Sequence, residues 1–271
     1  MKLKFSNGNS KLAPNIFTFS MPAGYACPGA NLCKSMAVKT SEGFRIKDGP
    51  NCQFRCFAAI DEVLKPNVRE QRWHNFNLLK GKTVAEMVKL ITDSLPHPNW
   101  KYLVRLHVSG DYFSQDYFDA WLKVARFNPQ TVFYGYTKSL PFWIKRKRYI
   151  PKNLILTASR GGKWDSLIEP HGLRSARVVF SEAEAAELGL PLDHDDSHAY
   201  EGTGDFALLL HGTQPAGSKS AKAWTALKKI GKGGYHNQKR GRGWGKDYAG
   251  NSLKKNHGGG TPSPKGMKVF A

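Results

Sequence analysis

The chain predicts an α/β fold, a partial or complete (β/α) barrel with a loop-rich cysteine segment ahead of it. The first reason is a repeating pattern: from residue 102 to 229, five short apolar runs each precede a stretch of helical character. The second is the crowding of every cysteine, Cys27, Cys33, Cys52 and Cys56, into one irregular segment rich in Gly, Pro and Asn. The third is length: 271 residues with 40% hydrophobic and 12% aromatic content suffice for a substantial core.

Taken in order, residues 5–12 (FSNGNSKL) read as a tight turn and residues 16–19 (IFTF) as a short strand. The cysteine segment, residues 20–60, reads as two irregular loops around Ala37 to Phe44. Residues 57–64 have helical character, and Pro66 is expected to end that helix. Residues 83–95 form an amphipathic helix: Thr83 and Glu86 make a capping box, and Val84, Met87, Val88, Ile91 and Leu95 line one face. Residues 102–108 make the first strand of the repeat, with His107 as a core histidine. Ser114 then caps a helix with Tyr117, Phe118, Trp121, Leu122 and Ala125 inward. Residues 131–136 are a strand, followed by a very basic helix over 141–149. Residues 153–158 are the next strand, followed by a helix over 163–171. Residues 176–180 make the fourth, and Ser181 with Glu184 caps a helix ended by Gly189. Residues 206–210 are the fifth strand and 218–229 the closing helix. Strands alternating with helices in this way imply a parallel sheet.

Domain organisation follows: residues 1–229 form one α/β domain, and 230–271 a basic tail. The net charge is +20, from 41 Lys+Arg against 21 Asp+Glu. From Lys228 onward there are eleven Lys/Arg against one acid, Asp247, so about half of that charge lies in the last 44 residues. Tyr235, Trp244 and Tyr248 interleave with it, the mixture that neutralises phosphates and stacks on bases, so the tail is read as a nucleic-acid contact. The alternative is a solvated tail that only aids solubility. The chain begins MKLKFSNGNSKL, without an apolar signal-peptide core, and no run approaches the length of a membrane span. The expectation is a protein of a reducing cytoplasm.

In that compartment four clustered cysteines point to a shared ligand rather than to disulfides. Four soft sulfur donors suit zinc or an iron–sulfur cluster. The spacing C-x5-C-x18-C-x3-C lacks the C-x2-C knuckle of structural zinc, which favours a [4Fe–4S] cluster on Cys27, Cys33, Cys52 and Cys56. Zinc, a disulfide pair and buried free thiols remain the alternatives.

Parallel α/β proteins gather function at the carboxyl ends of their strands. Here those ends deliver Ser109 and Asp111, Lys138, and Ser159 with Arg160 before Gly161 and Gly162. Lys138 and Arg160 suit an anionic group, and Asp111 an amine or ribose hydroxyl, so Ser109, Asp111, Lys138, Ser159 and Arg160 are the cofactor-binding candidates. The bland reading makes them helix starts and loop residues. Residues 193–198 (DHDDSH) hold metal-ligand residue types but read as a solvated loop. Asp116 and Asp119 are expected to face solvent. There is no P-loop and no G-x-S-x-G, which excludes the function classes those motifs define.

Residues 5–12 (FSNGNSKL), 17–24 (FTFSMPAG), 27–30 (CPGA), 56–59 (CFAA), 107–112 (HVSGDY) and 136–139 (YTKS) together resemble the phage "gene product eighty-eight" domain family. The resemblance covers roughly residues 5–215 and leaves the tail outside. It implies a virus-encoded protein acting in the cytoplasm of the infected bacterial host. A wider similarity is to radical S-adenosylmethionine (radical-SAM) proteins, which place a cysteine-ligated [4Fe–4S] cluster ahead of a partial α/β barrel. Their C-x3-C-x2-C triplet is matched by Cys52 and Cys56, but Ala59 stands at the third position. Four thiolates would close every iron, and S-adenosylmethionine would then be disfavoured as a cofactor. The expectation is a phage iron–sulfur protein with a redox, sensing or structural role, a host redox partner and a basic surface suited to nucleic acid. A divergent radical-SAM-like enzyme with three ligands, and a zinc-stabilised nucleic-acid-binding protein, are the alternatives.

Overall fold

The computed structural model of the chain describes residues 1–8, 11–12, 16–96, 102–202 and 204–232. Residues 233–271 of the tail, with Tyr235, Trp244 and Tyr248, therefore lie outside the described residues. In chain order the elements are β1 (Ser6–Asn7), β2 (Ile16–Thr18), β3 (Ser35–Thr40), β4 (Gly43–Asp48), α1 (Phe57–Leu64), α2 (Pro66–Leu79), α3 (Val84–Thr92), β5 (Leu103–Leu106), α4 (Gln115–Phe127), β6 (Val132–Thr137), α5 (Leu140–Arg146), β7 (Leu154–Ser159), β8 (Ser175–Val179), α6 (Glu182–Glu187), α7 (Ser197–Tyr200), β9 (Phe206–Leu209) and α8 (Lys219–Lys229).

Seven strands form one sheet in the order β1-β2-β5-β6-β7-β8-β9. Only β1 runs antiparallel, as a hairpin partner of β2; every other pairing is parallel. Among the described residues β1 and β9 do not pair, so the sheet is open and the complete barrel is not formed. The five expected strands of the repeat are present, each within about one or two residues of its expected place.

Alternation along the strands divides the core. Val104, Leu106, Phe133, Leu156 and Ala158 face Met87 and Ile91 of α3 and Phe118, Trp121 and Ala125 of α4. The next residues along, Leu103, Tyr134 and Ala176 with Phe206, face the other way and pack on Leu12, Ile16 and Ala199. The helix starts are chemically specified. Thr83 and Glu86 close a full capping box, and the hydroxyls of Ser114, Ser181 and Ser218 each accept an N–H of the following turn.

Four expectations are corrected. Pro66 opens a helix instead of ending one: it occupies the first position of α2, where its missing N–H costs nothing. The stretch between the cysteine loops is a regular hairpin, β3 with β4, paired from Ser35–Asp48 to Thr40–Gly43. Residues 163–171 hold only a 3-10 turn at Asp165–Leu167. Residues 193–198 are not a solvated loop, although His194 and Asp195 are exposed.

Asp193 and Asp196 are buried on the sheet face opposite α3 and α4. Asp196 pairs with Lys11 at 2.5 Å and with Arg105 of β5 at 2.6 Å, and the Tyr134 and Tyr136 hydroxyls donate to it at 3.4 Å. Arg174 fixes the same segment, donating to the carbonyls of His198 and Ala199 and to the Thr157 hydroxyl. Burial alone would raise the Asp196 pKa, but Arg105 and Lys11 outweigh it and hold the carboxyl below its ordinary value. Asp196→Ala should therefore cost about 3–5 kcal/mol in urea unfolding at neutral pH, because Arg105 and Lys11 both lose a close, fully buried carboxylate. The group's contribution is complete above the unfolded carboxyl value of about 3.9 and is lost as pH falls through the lower folded value. The deficit of the variant should accordingly shrink in acid; equal unfolding midpoints at neutral pH would contradict this.

Candidate functional site

The cysteines lie on two loops that cover the carboxyl ends of β5, β6 and β7. The first carries Cys27 and Cys33 and is bonded to the strand ends through backbone groups. Asp111 N–H donates to Ala26 O, Leu32 N–H to Gly161 O and Lys163 N–H to Gly29 O, each at 2.9 Å. Gly29 sits so close to β6 that a Cβ there would stand 2.2 Å from the Lys138 carbonyl oxygen. Only glycine permits that approach. The second loop carries Cys52 and ends with Cys56 as the N-cap of α1. It is held to the first by Gln53 N–H donating to Leu32 O at 2.8 Å, and braced by Arg55 on the Asp48 carboxylate at 2.8–2.9 Å. Gln214, far along the chain, accepts from Arg55 N–H at 2.7 Å.

All four cysteines are free thiols and each remains partly accessible. Cys33 is the common neighbour: its charge acts on Cys27, Cys52 and Cys56, and Cys27 also senses Cys56. Burial pushes the Cys27 thiol well up, with Asp111 and the Cys56 and Cys33 thiols adding, while the Gly24 N–H opposes. Burial, then Cys33, lifts Cys56 to about 12. The Ala58 and Ala59 N–H groups of α1 and the Arg72 guanidinium pull it back without closing a capping hydrogen bond. Burial raises Cys52 too, against the Ser35 hydroxyl, whose oxygen lies 3.6 Å from the sulfur.

The strand-end residues singled out from sequence do come together, and they bond to one another. Asp111, fully enclosed, accepts from the Thr137 hydroxyl at 2.7 Å, Tyr112 N–H at 2.7 Å and Lys138 N–H at 2.8 Å. Burial raises its carboxyl to about 6 against those three donors. The Lys138 ammonium donates to Ser159 O and Oγ at 2.8 Å and to Arg160 O at 2.6 Å. Arg160 reaches the Ser175 hydroxyl and Glu169. Ser109 accepts Met21 N–H on its carbonyl and donates its hydroxyl to Glu62 at 3.4 Å. Asp119 pairs with Arg146 at 2.6 Å, while Asp116 is exposed. His107 lies just past β5 in the left-handed region, φ +58°, with Nε2 3.1 Å from the Tyr117 hydroxyl. Burial lowers its pKa to about 3, so the ring is neutral.

Two residues of this neighbourhood escaped the sequence reading. Glu62 of α1 is buried and accepts from Ala23 N–H at 2.8 Å and from Arg72 at 2.9 Å. Arg72 in turn donates to Ala58 O at 2.7 Å, so the pair ties α1, α2 and the cysteine segment together. No local pattern marks either residue, since both sit on helices among other charged residues.

Cysteine is the right donor type for zinc or an iron–sulfur cluster. Among the described residues, however, no group of three or more His, Cys, Asp or Glu is arranged to hold one metal ion. Binding would therefore draw the two loops together and order them. Gly29→Ala should loosen the first loop: limited proteolysis should cut residues 20–60 sooner while the sheet survives, and an unchanged digestion pattern would contradict the docking.

The family model described as gene product 88 matches residues 1–227. The Gene 88 protein of Mycobacterium phage L5 is 28% identical over 115 residues, 40% of this chain and 48% of that protein. The Gene 88 protein of Mycobacterium phage D29 is 26% identical over 115 residues, with the same shares. The chain thus spans about half the length of these curated relatives. No solved structure matches it. The relatives support a bacteriophage protein, and with the family model matched over most of its length the chain belongs to the gene product 88 family.

Proposed function

We propose that the protein binds a [4Fe–4S] cluster through Cys27, Cys33, Cys52 and Cys56 and serves a redox, sensing or structural role in the cytoplasm of the infected bacterium. The observation that supports this reading is the docking of the two loops that carry the four free cysteines, one against the other and both at the carboxyl ends of parallel strands. Such a cluster supplies one-electron chemistry when bound. The chain's own residues prepare the thiols. Arg72 and the amino end of α1 favour the Cys56 thiolate, and the Gly24 N–H favours that of Cys27. Burial and Asp111 disfavour it, and a cation bound beside Cys27 would oppose both. The strand-end set of Asp111, Lys138, Ser159 and Arg160 braces the loop through its mutual bonds, which agrees better with a closed site than with an S-adenosylmethionine pocket. The open, sequentially ordered sheet is consistent with a radical-SAM-like partial barrel as the scaffold. A host protein is the redox partner in this reading, and the basic residues beyond 232 approach nucleic acid. No helix of the described residues is long and apolar enough to cross a membrane.

Anaerobic purification with iron, sulfide and zinc quantification tests the reading. About four iron and four sulfide per chain are expected, and each single Cys→Ala variant should lose them. Colourless protein with about one zinc would contradict it and favour a zinc-stabilised nucleic-acid-binding module. One silent Cys→Ala variant would instead revive the three-ligand enzyme. Removing the metal should expose residues 20–60 to protease first, since ligand binding and loop order are coupled.

A further inference from the structure

We propose that the turn ending α4 and the turn following α5 together form a binding platform for single-stranded nucleic acid on the folded body of the protein. The charge pattern is the starting point. From residue 120 to 164 the chain carries ten Lys/Arg and no Asp or Glu. On the last two turns of α4, Lys123 and Arg126 are exposed, and beyond α5 so are Lys145 of its last turn, Lys147, Arg148 and Lys152.

Geometry makes one surface of the two turns. Arg126 donates to the Tyr149 carbonyl at 2.7 Å, and the Asn153 amide donates to the carbonyls of Ala125, Asn128 and Thr131 at 2.9–3.0 Å. Arg146 is neutralised by Asp119, and Lys147 is held by the His171 carbonyl. Lys123, Lys145, Arg148 and Lys152 have no ion-pair partner among the described residues, so four uncompensated cations share this surface.

Two aromatic rings stand among these cations. Phe127 is 69% exposed and Tyr149 61% exposed, and among the described aromatic side chains Tyr25, at 45%, is the one other that is exposed. Scattered exposed rings need no explanation, but two beside one Arg bridge, on a surface where cations outnumber acids, match what a single strand requires. Cations follow its phosphates and rings stack on its unpaired bases, while a duplex offers no free base face. The platform stands apart from the cysteine reading and from the tail, which the test leaves in place.

The experiment is fluorescence anisotropy of the full chain with labelled oligothymidylate, oligouridylate and a DNA duplex of equal length. The double variant Phe127→Ala with Tyr149→Ala changes no charge and removes only exposed rings. It should weaken single-strand binding by about tenfold or more, leave duplex binding unchanged and preserve the salt dependence. Lys145→Glu with Arg148→Glu should weaken all three probes and flatten the salt dependence. The tighter of the two single strands would identify DNA or RNA as the ligand. Unchanged affinity of the ring variant for both single strands, at unchanged melting temperature, would overturn the platform even if the tail binds nucleic acid.

Discussion

The buried carboxylate of Asp111 is the constraint on which the candidate site depends. Three donors converge on it, two of them from the end of β6, while its own N–H holds Ala26 of the cysteine segment. A carboxylate enclosed this fully loses its hydration, and three short hydrogen bonds are what make it tolerable. The result is a junction where the end of β5, the end of β6 and the first cysteine loop meet. The Lys138 ammonium extends it to β7 by donating to Ser159 and Arg160. The polar strand ends therefore position the thiols instead of facing a cavity.

A second buried acid does comparable work on the other face of the sheet. Asp196 gathers Lys11, Arg105, Tyr134 and Tyr136, and so locks α7 and the amino-terminal segment over β5 and β6. In a parallel sheet with helices on one side, the remaining face must be covered by something. Here an ionic cluster with a thin apolar layer covers it, supplied in part by the 193–202 segment. That arrangement favours a protein whose chemistry lies at its strand ends over one with a deep central pocket.

Much of this architecture was legible in the sequence because period-two strands and capped helices are local signals. Ser114 and Ser181 cap where expected, and the five strands of the repeat appear in place. α2 was not legible, because its buried side is polar. Arg72 and Asn75 face inward to meet Glu62, Lys4 and Ser20, so no apolar stripe announces the helix. The β3–β4 hairpin was missed because the alternation of β4 rests on two apolar residues alone, Phe44 and Ile46, and none of its side chains is fully buried. Of the site, the four cysteines were visible by residue type and crowding. Their dependence on Glu62, Gln214 and Gly29 was not, since those contacts join residues far apart in the chain.

The central physical claim is that the cysteine loop is part of the folded sheet and not an appendage to it. Hydrogen exchange at the Asp111, Leu32 and Lys163 amides, whose acceptors lie across the junction, measures this directly. Protection close to that of the Phe133 amide within the sheet is the predicted result, because the junction would then open only with the sheet itself. Exchange of those three amides at the rate of exposed backbone, with the sheet still protected, would contradict it.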